Sequence, residues 1–326
     1  MSFNLTPDAT PSSTNSSSSF PFALPTLLIV FLTLQQIVFV IACTGNFFVI
    51  YVVLRHMSLK DNSNIFVLNL AIADFFTGMS SGVQIVYVFH RHLNQNVVSC
   101  LLRFQVVGCM TIASHVNVFL LSMDRYIAIC QQGLYQKILT KNLSSIIVTL
   151  PWLISMALSL PPFFGWNEWE TAPSCSFSLV YSTEFFWTTS SIVCSLNGLS
   201  FIAHFLIFFK IRKFYKRTRP LDELETEDKK LHKNIRGAKV MLIITIAFTI
   251  CWTPFMSFSF AFANGYSTDF NLQETSHWLV FLGMLNSVIN PVIYAWYKQD
   301  FRKACQKTCS RDSIQRAVVR IRQSNT

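Results

Sequence analysis

Asp74 is the only formally charged side chain in any of seven long apolar runs of this 326-residue chain. A carboxylate so far from water is expensive. It either binds a proton and hydrogen-bonds, or is balanced by neutral oxygens, water and a cation. A second chemically capable group is Asp124-Arg125-Tyr126, which follows the uncharged run Phe104 to Met123. Such an acid–base pair either anchors a helix at the water boundary or acts there as an ion-pair switch. Sulfur is the third. Cys43, Cys109, Cys130, Cys194 and Cys251 fall in or at the ends of apolar runs, where a thiol packs as a small apolar residue. Cys305 and Cys309 lie beyond the last run, which leaves Cys100 and Cys175 together at one surface, where a disulfide is expected. No nucleophile, base and orienting group converge by motif, so the chain reads as a non-enzyme.

The elements that must position these groups are the apolar runs themselves. They extend from Leu24 to Leu54, Ile65 to Phe89, Phe104 to Met123, Leu143 to Trp166, Phe185 to Phe209, Val240 to Ala263 and His277 to Tyr297. Each has about 20 residues or more, enough as a helix to cross a hydrocarbon layer of roughly 30 Å. With 52% apolar and only 13% charged residues, and a mean hydropathy of +0.41, the chain is too apolar for a water-soluble domain. Its net charge of +10 is distributed by topology: 24 of the 26 Lys and Arg fall in one alternating set of loops, and only Arg91 and Arg103 in the other. The positive-inside rule then sets the N-terminus outside and the C-terminus in the cytosol of a multi-pass plasma-membrane protein. The basic loops face anionic membrane lipids, and no nucleic acid partner is needed to explain them.

The expected fold class is an all-α membrane protein, a seven-helix bundle over residues 24–297. A polar tail (1–23), rich in Ser, Thr, Asn and Pro, is expected to be disordered and shows no cleavable signal peptide; Asn4 and Asn15 open N-glycosylation triplets in it. Residues 298–310 read as an amphipathic cytoplasmic helix. Phe301, Cys305 and Cys309 recur there at every fourth position among Arg302, Lys303 and Lys307, which sets both cysteines at the interface for palmitoylation. A cytoplasmic tail (311–326) follows. Within the bundle, Pro254 withholds an amide from the carbonyl of Ile250 and kinks the sixth run, and Pro291 weakens the seventh.

Taken in order, Gly45-Asn46, Leu70 to Asp74, Cys100, Asp124-Arg125-Tyr126, Trp152, Cys175, Cys251 to Pro254, Asn290-Pro291-Val292-Ile293-Tyr294 and Phe301 form a specific set. Through it the chain resembles the rhodopsin-like, class A G-protein-coupled receptors over residues 24 to 310. The resemblance implies a receptor that passes an extracellular small-molecule signal to a heterotrimeric G protein, with arrestin and receptor kinases as further partners. It implies a switch built from Asp124, Arg125, Tyr126, Trp252, Pro254, Asn290, Pro291 and Tyr294. Arg125 pairs with Asp124 at rest, and an outward swing of the sixth helix opens a cavity bordered by Arg212, Lys213, Lys233 and Arg236. It implies an allosteric sodium ion held by Asp74, Ser114, Asn286, Ser287 and Asn290. It also implies a ligand pocket of Val107, Thr111, Trp252, Phe255, Ser259, Val280 and Met284, with Phe177 as a lid.

Departures narrow the subfamily. Amine receptors carry an aspartate where this chain has Val107, and opsins a lysine where it has Met284, so covalent retinal is excluded. Val107 and Thr111, Gly165-Trp166-Asn167 and the Cys175 to Phe177 spacing resemble adenosine receptors, although Ser259 and Ser178 replace that group's asparagine and glutamate. Leu196 stands where a proline is usual, His204 where a tyrosine is, and Asn234 where some relatives have an acid. With His115, expected to be a neutral hydrogen-bonded core residue, these changes point to appreciable basal activity. A transporter or channel is the rival class, but it needs an internal repeat or charged residues along a path, and beyond Asp74 the sequence offers neither. A seven-helix protein signalling only through arrestin or a dimer partner is a third reading. The few tail phosphoacceptors, Ser310, Ser313, Ser324 and Thr326, argue against strong arrestin recruitment.

Overall fold

The computed structural model describes residues 26–59, 61–131, 133, 141–172, 174–216, 225–264 and 272–309. Asn4, Asn15, the 1–23 tail and the 311–326 tail lie outside them. The chain forms the helices α1 (Thr26–His56), α2 (Asn62–Phe89), α3 (Val97–Cys130), α4 (Lys141–Ser159), α5 (Thr183–Lys216), α6 (Glu225–Ala263), α7 (Leu272–Tyr297) and α8 (Gln299–Cys309). Polar caps set two of the starts. The Asp61 side chain accepts from the amide of Ser63 to open α2, and that of Asn96 accepts from Val98 and Ser99 to open α3.

Among the described residues six helices, all but α4 and α8, are long and apolar enough to cross a membrane. The expected fourth run, Leu143 to Trp166, is helical as far as Ser159, where α4 ends. Pro161 and Pro162 lack the amides that would continue it, so the chain tightens into a 3₁₀ turn over Pro161–Phe164. Gly165, at φ 99°, then takes the left-handed backbone that closes this turn.

Polarity is arranged inside out. Phe47, Phe205, Ile250 and Trp296 are exposed, whereas Asn46, Asp74, Asn117 and Asn290 are buried. That is the pattern of a bundle whose solvent is lipid, in which polar side chains must turn inward and bond to one another. The central strut is α3, in contact with α2, α4, α5 and α6, while α7 closes the ring against α1, α2 and α6. A polar seam joins three helices: Trp152 Nε1 donates to Asn69 Oδ1 (2.8 Å), and Asn69 Nδ2 donates to Asn117 Oδ1 (3.1 Å). On the other side, Pro291 has no amide to offer the carbonyl of Ser287. Asn46 Nδ2 fills that vacancy from α1 at 2.8 Å, and neighbouring Gly45 lets the helices approach until its α-carbon faces the Pro291 ring.

A disulfide between Cys100 and Cys175 ties the start of α3 to the loop before α5. The bond is buried with Val180, Tyr181, Phe185 and Phe186 packed on it. At the opposite end, α8 folds back on the bundle through Phe301, whose ring meets that of the fully buried Tyr294.

Candidate functional site

Three chemically distinct places lie along α3. Nearest the disulfide is a cavity of about 120 Å³ between α3, α5, α6 and α7. Val107, Thr111, Phe177, Trp252, Phe255, Ser259, Val280 and Met284, the eight pocket residues expected from the sequence, all line it. Phe177 lies in a one-turn helix (Phe177–Val180) two residues past the disulfide, with its ring 5.3–5.6 Å from Phe104, Tyr181, Phe186 and Phe255. Burial pushes the neighbouring Tyr181 phenol far above its ordinary pKa, so it stands as a neutral hydroxyl. The deep wall is Trp252. Its indole lies on Gly283 of α7, where a β-carbon would come within 2.7 Å of three ring atoms.

Some lining residues go beyond the sequence reading. Arg103, read from the sequence as a charge on a surface loop, is inside α3 and only 4% exposed. Its Nε donates to Gln84 Oε1 (2.7 Å) and its Nη1 to Asn94 Oδ1 (3.1 Å), and its guanidinium lies over the Tyr87 and Phe104 rings. The sequence reading counted Arg103 with the loop charges, and the structure instead buries it near the start of α3. Arg103 falls one turn after Cys100, so a helix begun at the cysteine, rather than at the first uncharged run, would have enclosed it.

In the middle of the bundle Asp74 accepts three hydrogen bonds: from Asn290 Nδ2 (2.7 Å), Ser287 Oγ (3.0 Å) and Ser114 Oγ (3.5 Å). Four of the five residues expected around a cation therefore meet. The fifth, Asn286, makes no hydrogen bond to Asp74, but it is buried nearby on α7, and Asn286 Oδ1 and Asn290 Oδ1 are acceptors without a partner. Two unused carbonyl oxygens beside a carboxylate are a donor set that fits a hard cation. His115 behaves as expected of a core histidine: Nδ1 is 2.9 Å from the Thr111 carbonyl and the ring stands edge-on to Phe248.

At the far end Arg125 pairs with Asp124, Nε donating to Oδ2 at 2.8 Å, and both are buried. The backbone of α6 lies against this pair at Gly237, whose β-carbon position is 3.3 Å from Arg125 Nη1. A shallow polar cavity of about 70 Å³ beside Arg125 is lined by Asp61, Arg236, Lys298 and Asp300 among others, and Arg236 bonds Gln299 of α8. Of the other expected border residues, Arg212 and Lys213 do not line it, and the Lys233 side chain lies outside the described residues. His204 has a place the sequence did not reveal: Nε2 is 3.2 Å from both Ser122 Oγ and Thr245 Oγ1, a bridge from α5 to α3 and α6. Both hydroxyls already donate to backbone carbonyls, so their lone pairs face the ring and an Nε2–H fits between them. Leu196 packs beside Val193, Ile112 and Val116 in an uninterrupted α5. Cys305 is half-buried against the bundle core, and the Cys309 side chain lies outside the described residues.

The sequence model of the 7 transmembrane receptor (rhodopsin family) matches residues 45–294, from the glycine against Pro291 to the buried Tyr294. The chain belongs to that family. This rhodopsin-family member is 27% identical over 293 residues to a Gq-coupled rhodopsin of Mizuhopecten yessoensis, covering 82% of this chain and 57% of the relative. It is 28% identical over 304 residues to a melanopsin of Rutilus rutilus, covering 86% and 57%. It is also 26% identical over 291 residues to lysophosphatidic acid receptor 3 of Rattus norvegicus, covering 82% and 78%. The chain thus spans less than three fifths of the two opsins, and these relatives do not single out the adenosine or amine subfamily.

Proposed function

We propose that the chain is a plasma-membrane receptor, N-terminus outside, that couples a small-molecule ligand in the Trp252 cavity to a heterotrimeric G protein at the Arg125 end. One observation carries the reading. A single helix, α3, borders the cavity at Val107 and Thr111, supplies Ser114 to Asp74, and ends with Arg125 beneath α6. A ligand that presses on Trp252 displaces α6 near Pro254, and the movement lifts Gly237 from Arg125. The freed guanidinium and Tyr294 then face a G-protein helix.

In this reading Asp74, Ser114, Asn286, Ser287 and Asn290 would hold a sodium ion, which would supply a counter-charge to the Asp74 carboxylate. Opsin relatives raise retinal as a ligand, but Met284 offers a thioether where a Schiff base needs an amine, and no lysine lines the cavity among the described residues. Acylation of Cys305 and Cys309 would fasten α8 to the inner leaflet.

The test is G-protein activation across all subtypes in cells expressing the chain and its Arg125→Ala variant at equal surface density. Signal in the first and none in the second is expected. Signal that persists without Arg125, or none from any subtype across nucleoside, amine, lipid and peptide panels, overturns the reading.

A further inference from the structure

Arg103 is a buried cation that no carboxylate among the described residues neutralises. Its two hydrogen-bond partners are neutral amides, its guanidinium lies over two aromatic rings, and it borders the cavity. A guanidinium has five N–H donors in a fixed fork, and two of these bonds account for part of the set. Leaving a desolvated cation without a counter-charge is costly. The charge is kept beside the cavity, from which a ligand can supply its opposite.

A second set of observations points the same way. Gln105 Nε2, Thr111 Oγ1 and the Tyr181 hydroxyl are buried without hydrogen-bond partners, and all three residues line the same cavity. The Gln105 amide can only donate, the two hydroxyls can donate as well as accept, and Gln35 Oε1, on the same wall, is an orphan acceptor. The remainder of the wall is largely apolar: Phe104, Val107, Phe177, Val193, Trp252, Met284. On α3, Arg103 and Thr111 are eight residues apart, so the cationic part and the deep apolar part are separated by roughly 12 Å along the helix.

We infer that the cavity takes an amphiphile with a single anionic headgroup, carboxylate or phosphate, seated on Arg103, with its hydrocarbon directed toward Trp252 and Met284. A nucleoside brings no charge to Arg103, and a cationic amine brings the wrong one. This rests on the reading of the cavity as the receptor's ligand pocket and specifies its chemistry.

The experiment uses the full chain, purified into zwitterionic nanodiscs, and measures its thermal midpoint against dodecyl phosphate, dodecanoate, dodecanol and dodecyltrimethylammonium. The two anions are expected to raise the midpoint saturably, at least about tenfold more tightly than the alcohol or the cation. The stronger of the two anions tells a phosphate-headed ligand from a carboxylate-headed one. Two variants localise the effect. Arg103→Gln removes the charge, and Gln84→Glu leaves Arg103 in place but supplies a competing carboxylate at its Nε. Each is expected to weaken anion binding about tenfold or more while leaving dodecanol unchanged.

An Arg103 that only holds helices together gains a salt bridge in the Gln84→Glu protein and binds the anions no more weakly there. Anion affinity unchanged in that variant, or dodecanol binding as tightly as the anions in the unmodified chain, overturns the inference. Because the readout needs no transducer, anion binding without any Arg125-dependent signal indicts the coupling proposal instead. Signal without anion binding indicts this one.

Discussion

Arg103 and Arg125 are both buried on α3, 4% and 7% exposed, yet they are wired in opposite ways. Arg125 has its counter-charge next door in sequence, and α6 closes over the pair at Gly237. Arg103 has two neutral amides, two aromatic rings and an open cavity. Where the protein completes the ion pair itself, the charge holds a conformation; where it leaves the pair unfinished, the charge waits for a partner. Burial alone does not distinguish these uses of arginine, and the company of each guanidinium does.

The contrast can be broken most severely at the disulfide. Replacing Cys100 and Cys175 by serine opens a link between positions 75 residues apart, which the chain-entropy account values at about 4.5 kcal/mol. The expected outcome is a large fall in thermal midpoint and loss of ligand binding, checked by unfolding of the purified protein with and without the anionic probe. Asp124→Asn makes Arg125 resemble Arg103 by taking away its charge partner, at roughly 1.5–3 kcal/mol. Basal G-protein signal should rise several-fold over the parent at matched surface density. A basal level equal to the parent's would mean that this pair does not restrain the resting state.

Gly283→Ala sharpens the connection between the two ends, since its methyl group displaces the Trp252 indole. Overpacking there should cost about 1–3 kcal/mol and change basal signal without touching either arginine. The smallest effect is expected of His204→Leu. It removes one bridge among α3, α5 and α6, leaves Ser122 and Thr245 bonded to their own backbones, and should cost about 1 kcal/mol. A modest rise in basal signal, read in the same assay, is the expected sign; a fall would mean that His204 supports the open form.

Much of this architecture was legible because its signals are local and linear. Uncharged runs of spanning length marked the helices, and the ordered motifs, through the resemblance to class A receptors, marked the cavity residues from Val107 to Met284. Hydropathy alone runs the fourth apolar stretch on to Trp166, although Pro161 and Pro162 mark in the sequence where its helix stops. Arg103 was hidden for a related reason: charge counting stopped at the edge of an apolar run, whereas the helix begins at Val97 and its partners Gln84 and Asn94 come from other segments. His204 and Gly283 were equally silent. A histidine bridging three helices and a glycine under an indole acquire meaning only from neighbours 41 to 82 residues away for the first, and from a facing helix for the second.

The Cys100–Cys175 bond has one more consequence, a topological one. It turns the whole segment between the two cysteines, including the connection from α3 to α4 at the Arg125 end, into a covalent ring. A single proteolytic nick anywhere in that ring severs the polypeptide but not the molecule. The two pieces migrate as one under non-reducing electrophoresis and part only when a thiol is added.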